Sequence, residues 1–259
     1  MTEQIFTLWI REFENDQLPL SDRLEAAAAL LLVDHPAAEA AVVRFLDIAP
    51  AETELGLRFR ELVVTQGAAI DALCVLLWED DASLKLAAAD ALREIGDPGV
   101  VPELAAILAT QRQRPLRDVD LIIALIEALG GCWRTGDAGV ALAVVDALTD
   151  PEEDVRDAAG SVLRQLGPDA AAAAPRLIAQ LSEAEFTYRF EAVVLLPRIA
   201  EPATYAPHLL QILRADPDSL LRWMALHELQ SIEQTDPAIQ AAVEAAENDA
   251  GIREYAAAA

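Results

Sequence analysis

Residues 81–96 read DASLKLAAADALREIG and contain a motif that returns along the whole chain. In it, a basic residue is followed by two variable residues, two small or apolar ones, one variable residue and two more apolar ones. Copies begin about 27 to 37 residues apart, and this period is typical of a helical solenoid. The basic position, which we call the anchor, is occupied by Arg23, Lys85, Arg156, Arg189 and Arg222, with weaker copies at Arg58, Ile122 and Arg253.

The sequence predicts an all-α, right-handed solenoid of about eight helical hairpins, forming a single continuous array over residues 1–259. Each repeat reads as two helices joined by a short acidic turn, and Gly-Pro or Gly-x-Pro sequences stop the second helix, as at Gly96 and Pro98. The first helices are expected to begin near residues 3, 36, 68, 100, 138, 173, 205 and 236. The second helices are expected to begin near residues 20, 52, 82, 115, 152, 186, 218 and 250.

Composition and net charge limit the kinds of partner and the cellular compartment that we expect for this chain. The chain has 44 acidic and 19 basic residues, a formal net charge of −25, which repels phosphate backbones and predicts no binding to nucleic acid. No apolar run approaches the roughly 20 residues that span a bilayer, so we expect no membrane partner. The acidic start lacks a secretory signal, and Cys74 and Cys132 are expected to be buried thiols. These features predict a soluble cytoplasmic protein with neither cofactor nor metal.

The motifs resemble HEAT repeats of the bacterial HEAT-like type, which include phycobilisome-lyase-type repeats. The resemblance rests on residues 81–85, Asp154 to Arg156 and the trailing sequence of residues 91–96, and it covers nearly the whole chain. It implies that a turn aspartate and the following basic residue form a ladder between neighbouring repeats. The expected pairs are Asp81/Lys85, Asp154/Arg156 and Asp218/Arg222.

Second helices of HEAT-like arrays face inward, and this predicts a binding surface on the concave side. Helical geometry turns the residues one and five after each anchor outward along one face. Many of them are large and apolar, which favours a groove for a protein partner, and the acidic composition would suit a basic one. Burial of the same aromatic residues in the core is the alternative. The predicted binding residues are Phe190, Trp223 and His227, with Phe59, Leu86 and Asp90 secondary.

The fourth repeat departs from the pattern between its two helices. Residues 110–117 read TQRQRPLR, are expected to form a longer loop than in the neighbouring repeats, and contain Arg112, Arg114 and Arg117. Such a loop could hold a carboxylate or phosphate, or its arginines could pair with the protein's own acids. We regard these three residues as a weaker candidate site.

The residue types and their spacing do not match any known catalytic motif. The His-Glu pairs that recur in HEAT-type iron hydroxylases occur here once, at His227 and Glu228, and no nucleotide-binding or nucleophile motif is present. The sequence therefore predicts a non-catalytic scaffold or adaptor. A bilin lyase or chaperone subunit is the alternative implied by the resemblance. A relative of the HEAT-like DNA glycosylases, with Trp223 and Asp157 or Glu191 in the site, is disfavoured by the charge.

Overall fold

A computed structural model describes residues 3–31, 41, 45, 53–55, 58, 68–78, 82–136, 138–232, 236–246, 249 and 251–253. All regular structure in these residues is helical. The chain divides into two compact units, Met1–Arg134 and Thr135–Ala259. The α-helices are α1 (Glu3–Glu14), α2 (Leu20–Leu31), α3 (Ala68–Leu76), α4 (Ala82–Ile95), α5 (Val101–Gln113), α6 (Val119–Gly131), α7 (Gly139–Val144), α8 (Glu153–Leu166), α9 (Ala174–Gln180), α10 (Phe186–Ile199), α11 (Pro202–Ala215), α12 (Ser219–Ser231) and α13 (Pro237–Ala246).

In the first unit, consecutive helices pack as hairpins, α1 on α2, α3 on α4 and α5 on α6, and α4 also packs on α6. Alanine and leucine fill these contacts, and Gly131 lets α6 approach α4 closely. A Cβ placed on Gly131 would lie 2.5 Å from the carbonyl oxygen of Arg93, far inside van der Waals contact. The side chain of Arg134 then donates to the carbonyl oxygen of Gly96, which ties the ends of the two helices together.

The second unit repeats the same scheme with more regular hairpins. Helix α9 packs on α10 and α11 on α12, while the second helices stack in the order α8, α10, α12. Short 3₁₀ segments at Val145–Thr149 and Gly167–Ala173 extend α7 and precede α9. The core is aliphatic, apart from Tyr205 on α11, which is also buried. The predicted all-α fold of stacked helical hairpins is confirmed; its continuity as a single array over residues 1–259 stays a prediction.

Helix ends form where the sequence predicts stops and caps. Gly96 and Gly167 follow α4 and α8 with φ angles of 65° and 56°, a left-handed conformation that favours glycine. Asp118 accepts a hydrogen bond from the backbone N–H of Leu121, and Asp218 accepts one from Leu220, so each aspartate caps the first turn of a second helix.

The observed helix starts agree with the sequence to within three residues, except in the fourth repeat. Its second helix begins at Val119 and not near residue 115, because Asp118 supplies the cap after Pro115 has interrupted the helix. The preceding helix continues through Gln113, so the connection is residues 114–118, the same length as residues 181–185 two repeats later. The connection is therefore shorter than the eight-residue segment 110–117 expected from the sequence, although it is two residues longer than residues 150–152 in the neighbouring fifth repeat. The second hairpin lies largely outside the described residues.

A ladder between repeats is present, but its partners differ from the expected ones. Lys85 pairs with Asp118 at 3.3 Å, which lies one repeat further along the chain. Asp218 uses its carboxylate to cap α12, whereas Arg222 pairs with Asp249 at 3.5 Å. Lys85 and Arg222 therefore each reach forward to the turn of the next repeat. The predicted partner Asp81 lies outside the described residues.

Arg189 forms the most buried step of this ladder. Its Nε donates to Asp216 Oδ2 at 2.9 Å and its Nη2 to Asp216 Oδ1 at 3.3 Å, while Nη1 donates to the carbonyl oxygens of Glu183 and Ala184. The two charged side chains are only 9% and 2% exposed. The anchor thus closes its own turn and ties it to the next one.

Arg156 closes its own turn in the same way, but the following turn contains no aspartate for it to pair with. Its Nη1 donates to the carbonyl oxygens of Asp150 and Pro151 at 2.8 and 2.9 Å. The predicted partner Asp154 is exposed, and the following turn offers the exposed Glu183 and Glu185 in place of a turn aspartate. These glutamates remain free to face solvent.

Candidate functional site

The positions one and five after each anchor do form an outward surface, which we call the second-helix face of each unit. In the described part of the chain, none of these residues is buried. Phe190 and Trp223, for which burial in the core was the alternative, are both half-buried. The positions are Leu24, Leu86, Ile123, Asp157, Phe190 and Trp223, and Ala28, Asp90, Glu127, Ser161, Val194 and His227.

A groove of about 460 Å³ lies between α10 and α12 on the second-helix face of the second unit. Its lining combines aliphatic, aromatic and charged side chains, a composition typical of a site that binds an amphipathic group. It contains two of the predicted binding residues, Trp223 and His227, while Phe190 lies one turn before it on α10. The lining residues are Val193, Val194, Pro197, Arg198, Trp223, Met224, His227 and Glu228.

Two ring pairs give this face its aromatic character. Trp223 and His227, one helical turn apart on α12, have ring centroids 5.9 Å apart, and Phe186 and Phe190 on α10 have centroids 5.8 Å apart. Phe186 is 37% exposed, so part of an aromatic surface is open to solvent. Sequence reasoning missed Phe186, although its spacing of one turn before Phe190 was a usable signal.

Glu228 supplies a fixed carboxylate at the groove. Tyr205 on α11 donates its hydroxyl to Glu228 Oε1 at 2.9 Å, which holds the carboxylate in place from behind. Burial is the main cause that raises the pKa of Tyr205, and the hydrogen bond to Glu228 adds to it. The tyrosine therefore stays a donor at neutral pH. Glu228 was not among the predicted binding residues, because its tyrosine partner lies 23 residues away in sequence.

A second carboxylate lies between α8 and α10. Gly160 leaves room there, because a Cβ at this position would be 3.4 Å from Glu191 Oε2 and 3.2 Å from Arg164 Nη1. Burial raises the pKa of Glu191 above its ordinary value; Asp157 raises it further, while Arg164 opposes the shift. The Glu191 carboxylate is thus incompletely neutralised by its neighbours.

The second-helix face of the first unit is more polar. Leu86 is half-buried, and Asp90 is exposed and pairs with Arg93 at 3.1 Å. Arg93 also approaches Glu127 at 3.9 Å, so the exposed charges here partly compensate one another. Phe59 lies outside the described residues. The assignment of these residues to a binding site stays a prediction.

The arginine-rich segment of the fourth repeat separates into a helix end and a short connection. Arg112 is half-buried in the last turn of α5, Arg114 is exposed, and Arg117 is half-buried just before α6. Leu116 between them is 90% exposed. The sequence predicted one loop that contains all three arginines, whereas in the structure Arg112 belongs to α5 and only Arg114 and Arg117 lie in the connection. Their role as a weaker site stays a prediction.

Histidine, cysteine and acidic side chains are dispersed over the described residues. They contain no group of three or more histidine, cysteine, aspartate or glutamate side chains placed to hold a metal ion. Cys74 and Cys132 are buried free thiols, as predicted. In the same residues, no helix combines the length and apolar character that crossing a membrane requires.

Comparison with known structures found similar chains over nearly the whole length. The chain is similar to HEAT-like repeat structures. An archaeal HEAT-like repeats protein from Thermococcus onnurineus is 14% identical, with a TM-score of 0.45, and the match covers 93% of this chain and 99% of that one. The complex of CpcE and CpcF of phycocyanin lyase from Nostoc is 23% identical, with a TM-score of 0.36 and coverages of 93% and 94%.

Human deoxyhypusine hydroxylase in complex with glycerol is 22% identical, with a TM-score of 0.35 and coverages of 97% and 93%. A scan of protein-family models and a search of curated protein sequences gave no match. These similarities concern the fold, and the assignment of a site therefore depends on the geometry of this chain.

Proposed function

We propose that this protein is a non-catalytic adaptor that binds another protein on the second-helix face of residues 135–259. The observation that carries the proposal is the groove between α10 and α12, where half-buried Trp223 lies beside exposed His227. Aromatic side chains that keep part of their surface in water are the residues most often found as energetic anchors of protein interfaces.

The shape of the site favours a macromolecule over a small substrate. Helical repeats present neighbouring second helices side by side, and this gives an extended surface that a partner chain can follow. The groove has no cluster of titratable groups around a reacting centre, since His227 is exposed and Glu228 is engaged by Tyr205. Phe190, Trp223 and His227 are therefore proposed as anchors, and the large negative net charge opposes a nucleic-acid partner.

The test is capture of proteins from the native host by the immobilised chain, followed by direct binding of each purified candidate. The double variant Phe190→Ala and Trp223→Ala should weaken a specific complex about a hundredfold or more, since each anchor contributes roughly 2 kcal/mol. Trp78→Ala is the matched control, because Trp78 is 47% exposed and lies in the turn that follows α3, in the other unit.

Helicity and melting behaviour must be measured on the same variants. Half-buried side chains on an outward face should cost little stability when truncated, so the double variant should keep the helical signal of the wild type. A partner that binds the double variant and the Trp78 control equally well would overturn the proposed face. A double variant that fails to fold would instead assign both residues to the core.

A further inference from the structure

We propose that the partner segment is a basic amphipathic helix, and that it lies across α8, α10 and α12 with its cations toward the turns that precede α8 and α10. The inference rests on the proposed function, since it assigns a chemistry to the occupant of the same face. It follows from the way charges are distributed around the aromatic residues.

Exposed carboxylates occupy the turns before α8 and α10 and the first residues of α8, and we call them the acidic rim. None of them takes part in an ion pair or a side-chain hydrogen bond in the described residues. The members of the acidic rim are Glu152, Glu153, Asp154, Asp157, Glu183 and Glu185.

The cations near the acidic rim are committed to structural contacts. Arg156 donates to the carbonyl oxygens of its own turn, and Arg189 is buried against Asp216. These two anchors therefore do little to neutralise the exposed carboxylates around them. Arg164 beside Glu191 and Arg198 in the groove are the other cations of this face. The six rim carboxylates outnumber them, so we expect a net attraction for a cationic segment within about 8 Å at physiological salt.

The acidic rim and the aromatic residues lie close enough for one segment to contact both. Gly160 in the middle of α8 lies opposite Glu191 in the second turn of α10, so these two helices pack against each other beside the acidic rim. Phe186 and Phe190 follow the rim glutamates of their own turn directly along the chain. Aromatic rings beside carboxylates suit lysine or arginine, whose stems pack on the rings while the charged heads reach the acids.

The geometry also sets the length of the segment. Packed helices are separated by about 8–10 Å, so crossing from α8 to α12 requires roughly 20 Å, or about 14 helical residues. One side of the segment would place apolar residues against Phe190, Val194 and Trp223. Glu191, whose pKa is raised by burial and by Asp157, would gain a cation that favours its charged form.

Three labelled peptides of about 14 residues test this chemistry. All have leucines at helical spacing, and the remaining positions are lysine, glutamine or glutamate. The lysine peptide should bind at least about tenfold more tightly than the glutamine peptide in fluorescence anisotropy, and the difference should shrink as salt is added. The glutamate peptide should not bind.

Two variants with the same net charge test whether the acidic rim causes the preference for the lysine peptide. The rim variant carries Glu153→Gln, Asp154→Asn, Glu183→Gln and Glu185→Gln. The control variant has the same net charge and carries Glu103→Gln, Asp120→Asn, Glu201→Gln and Glu244→Gln, all at exposed positions away from the acidic rim. The rim variant should bind the lysine peptide about tenfold more weakly, since exposed ion pairs contribute modestly and add together, and the control variant should lose less than about twofold.

The outcomes separate this inference from the proposed function. Equal binding of the lysine and glutamine peptides, with loss in the Phe190→Ala and Trp223→Ala variant, would overturn the basic partner and leave the face intact. An equal loss in rim and control variants would also overturn it, because the attraction would then come from net charge alone. A lysine peptide that does not bind overturns it too, while protein capture still tests the face. Concentration-dependent dimers that the double variant abolishes would assign the face to a second copy of the chain.

Discussion

Replacing Arg189 by alanine should lower the free energy of unfolding by about 3–5 kcal/mol. The guanidinium makes two hydrogen bonds to the Asp216 carboxylate and two to carbonyl oxygens of residues 183 and 184. Removing it leaves the carboxylate, only 2% exposed, without its cation. Most of the loss comes from this uncompensated charge, since water can reach the freed carbonyl groups of the exposed turn.

The same structure supplies a control and a rescue. Arg176 pairs with Asp146 on the surface, where the side chains are 49% and 58% exposed, so Arg176→Ala should cost at most about 1 kcal/mol. The double variant Arg189→Met and Asp216→Asn should recover part of the stability, because it removes both charges and keeps an oxygen that can accept from the backbone N–H of Asp218.

Urea unfolding followed by circular dichroism at neutral pH measures all three variants under the same conditions. The reasoning requires the midpoint of Arg189→Ala to fall well below that of Arg176→Ala, with the double variant between Arg189→Ala and the wild type. If Arg189→Ala and Arg176→Ala lose the same free energy, the buried pair does not stabilise the repeats and the forward ladder is only a geometric coincidence.

Three further predictions follow from close contacts and from pKa shifts. Gly131→Ala should destabilise the fold by about 1–3 kcal/mol in urea unfolding, because its Cβ would meet the Arg93 backbone oxygen at 2.5 Å. Gly160→Ala should be neutral or stabilising in the same assay, because its Cβ would meet only the ends of side chains. Burial raises the pKa of Cys132 to about 11, so near pH 8 its alkylation should be roughly a hundredfold slower in the folded than in the unfolded protein, and comparable rates would contradict this. The pKa of Glu191 is raised in the folded state, so as pH rises from 4.5 the unfolded state releases this proton first, and stability falls until the pH has passed the folded pKa. Replacing Glu191 by Gln should therefore raise Tm more at pH 7 than at pH 4. An equal rise at both pH values would refute the shift.

The helical-repeat fold could be predicted because its signals are local. Each anchor motif fixes one amphipathic helix, and Gly96 and Gly167 adopt the left-handed angles that their positions after a helix predict. The error in the fourth repeat has a local cause as well. Pro115 suggested the start of a helix, while the nearby capping residue Asp118 defined the observed one.

The candidate site was predictable only where helical geometry determines it. The rule that positions one and five after an anchor face outward left Phe190 and Trp223 open between surface and core, and both are half-buried in the structure. It could not find Glu228, whose orientation depends on Tyr205 in a neighbouring helix. The motif also did not predict that Lys85 and Arg222 pair with aspartates of the following repeat. Both features depend on contacts between elements distant in sequence, which the motif does not encode.

Stability and binding are separable on this face because of the angle between consecutive helical residues. Arg189 points to the turns and is buried, while the next residue, Phe190, is rotated by about 100° and remains half-buried on the outer surface. Arg222 likewise reaches a turn aspartate, Asp249, while Trp223 lies on the outer surface, although here both residues are half-buried. One residue of each pair ties the repeats together and the other is the one proposed to contact a partner. The sequence of the face could therefore change from repeat to repeat without disturbing the ladder. The acidic turns serve both purposes, because Asp216 neutralises a buried cation while Glu183 and Glu185 keep their charges exposed.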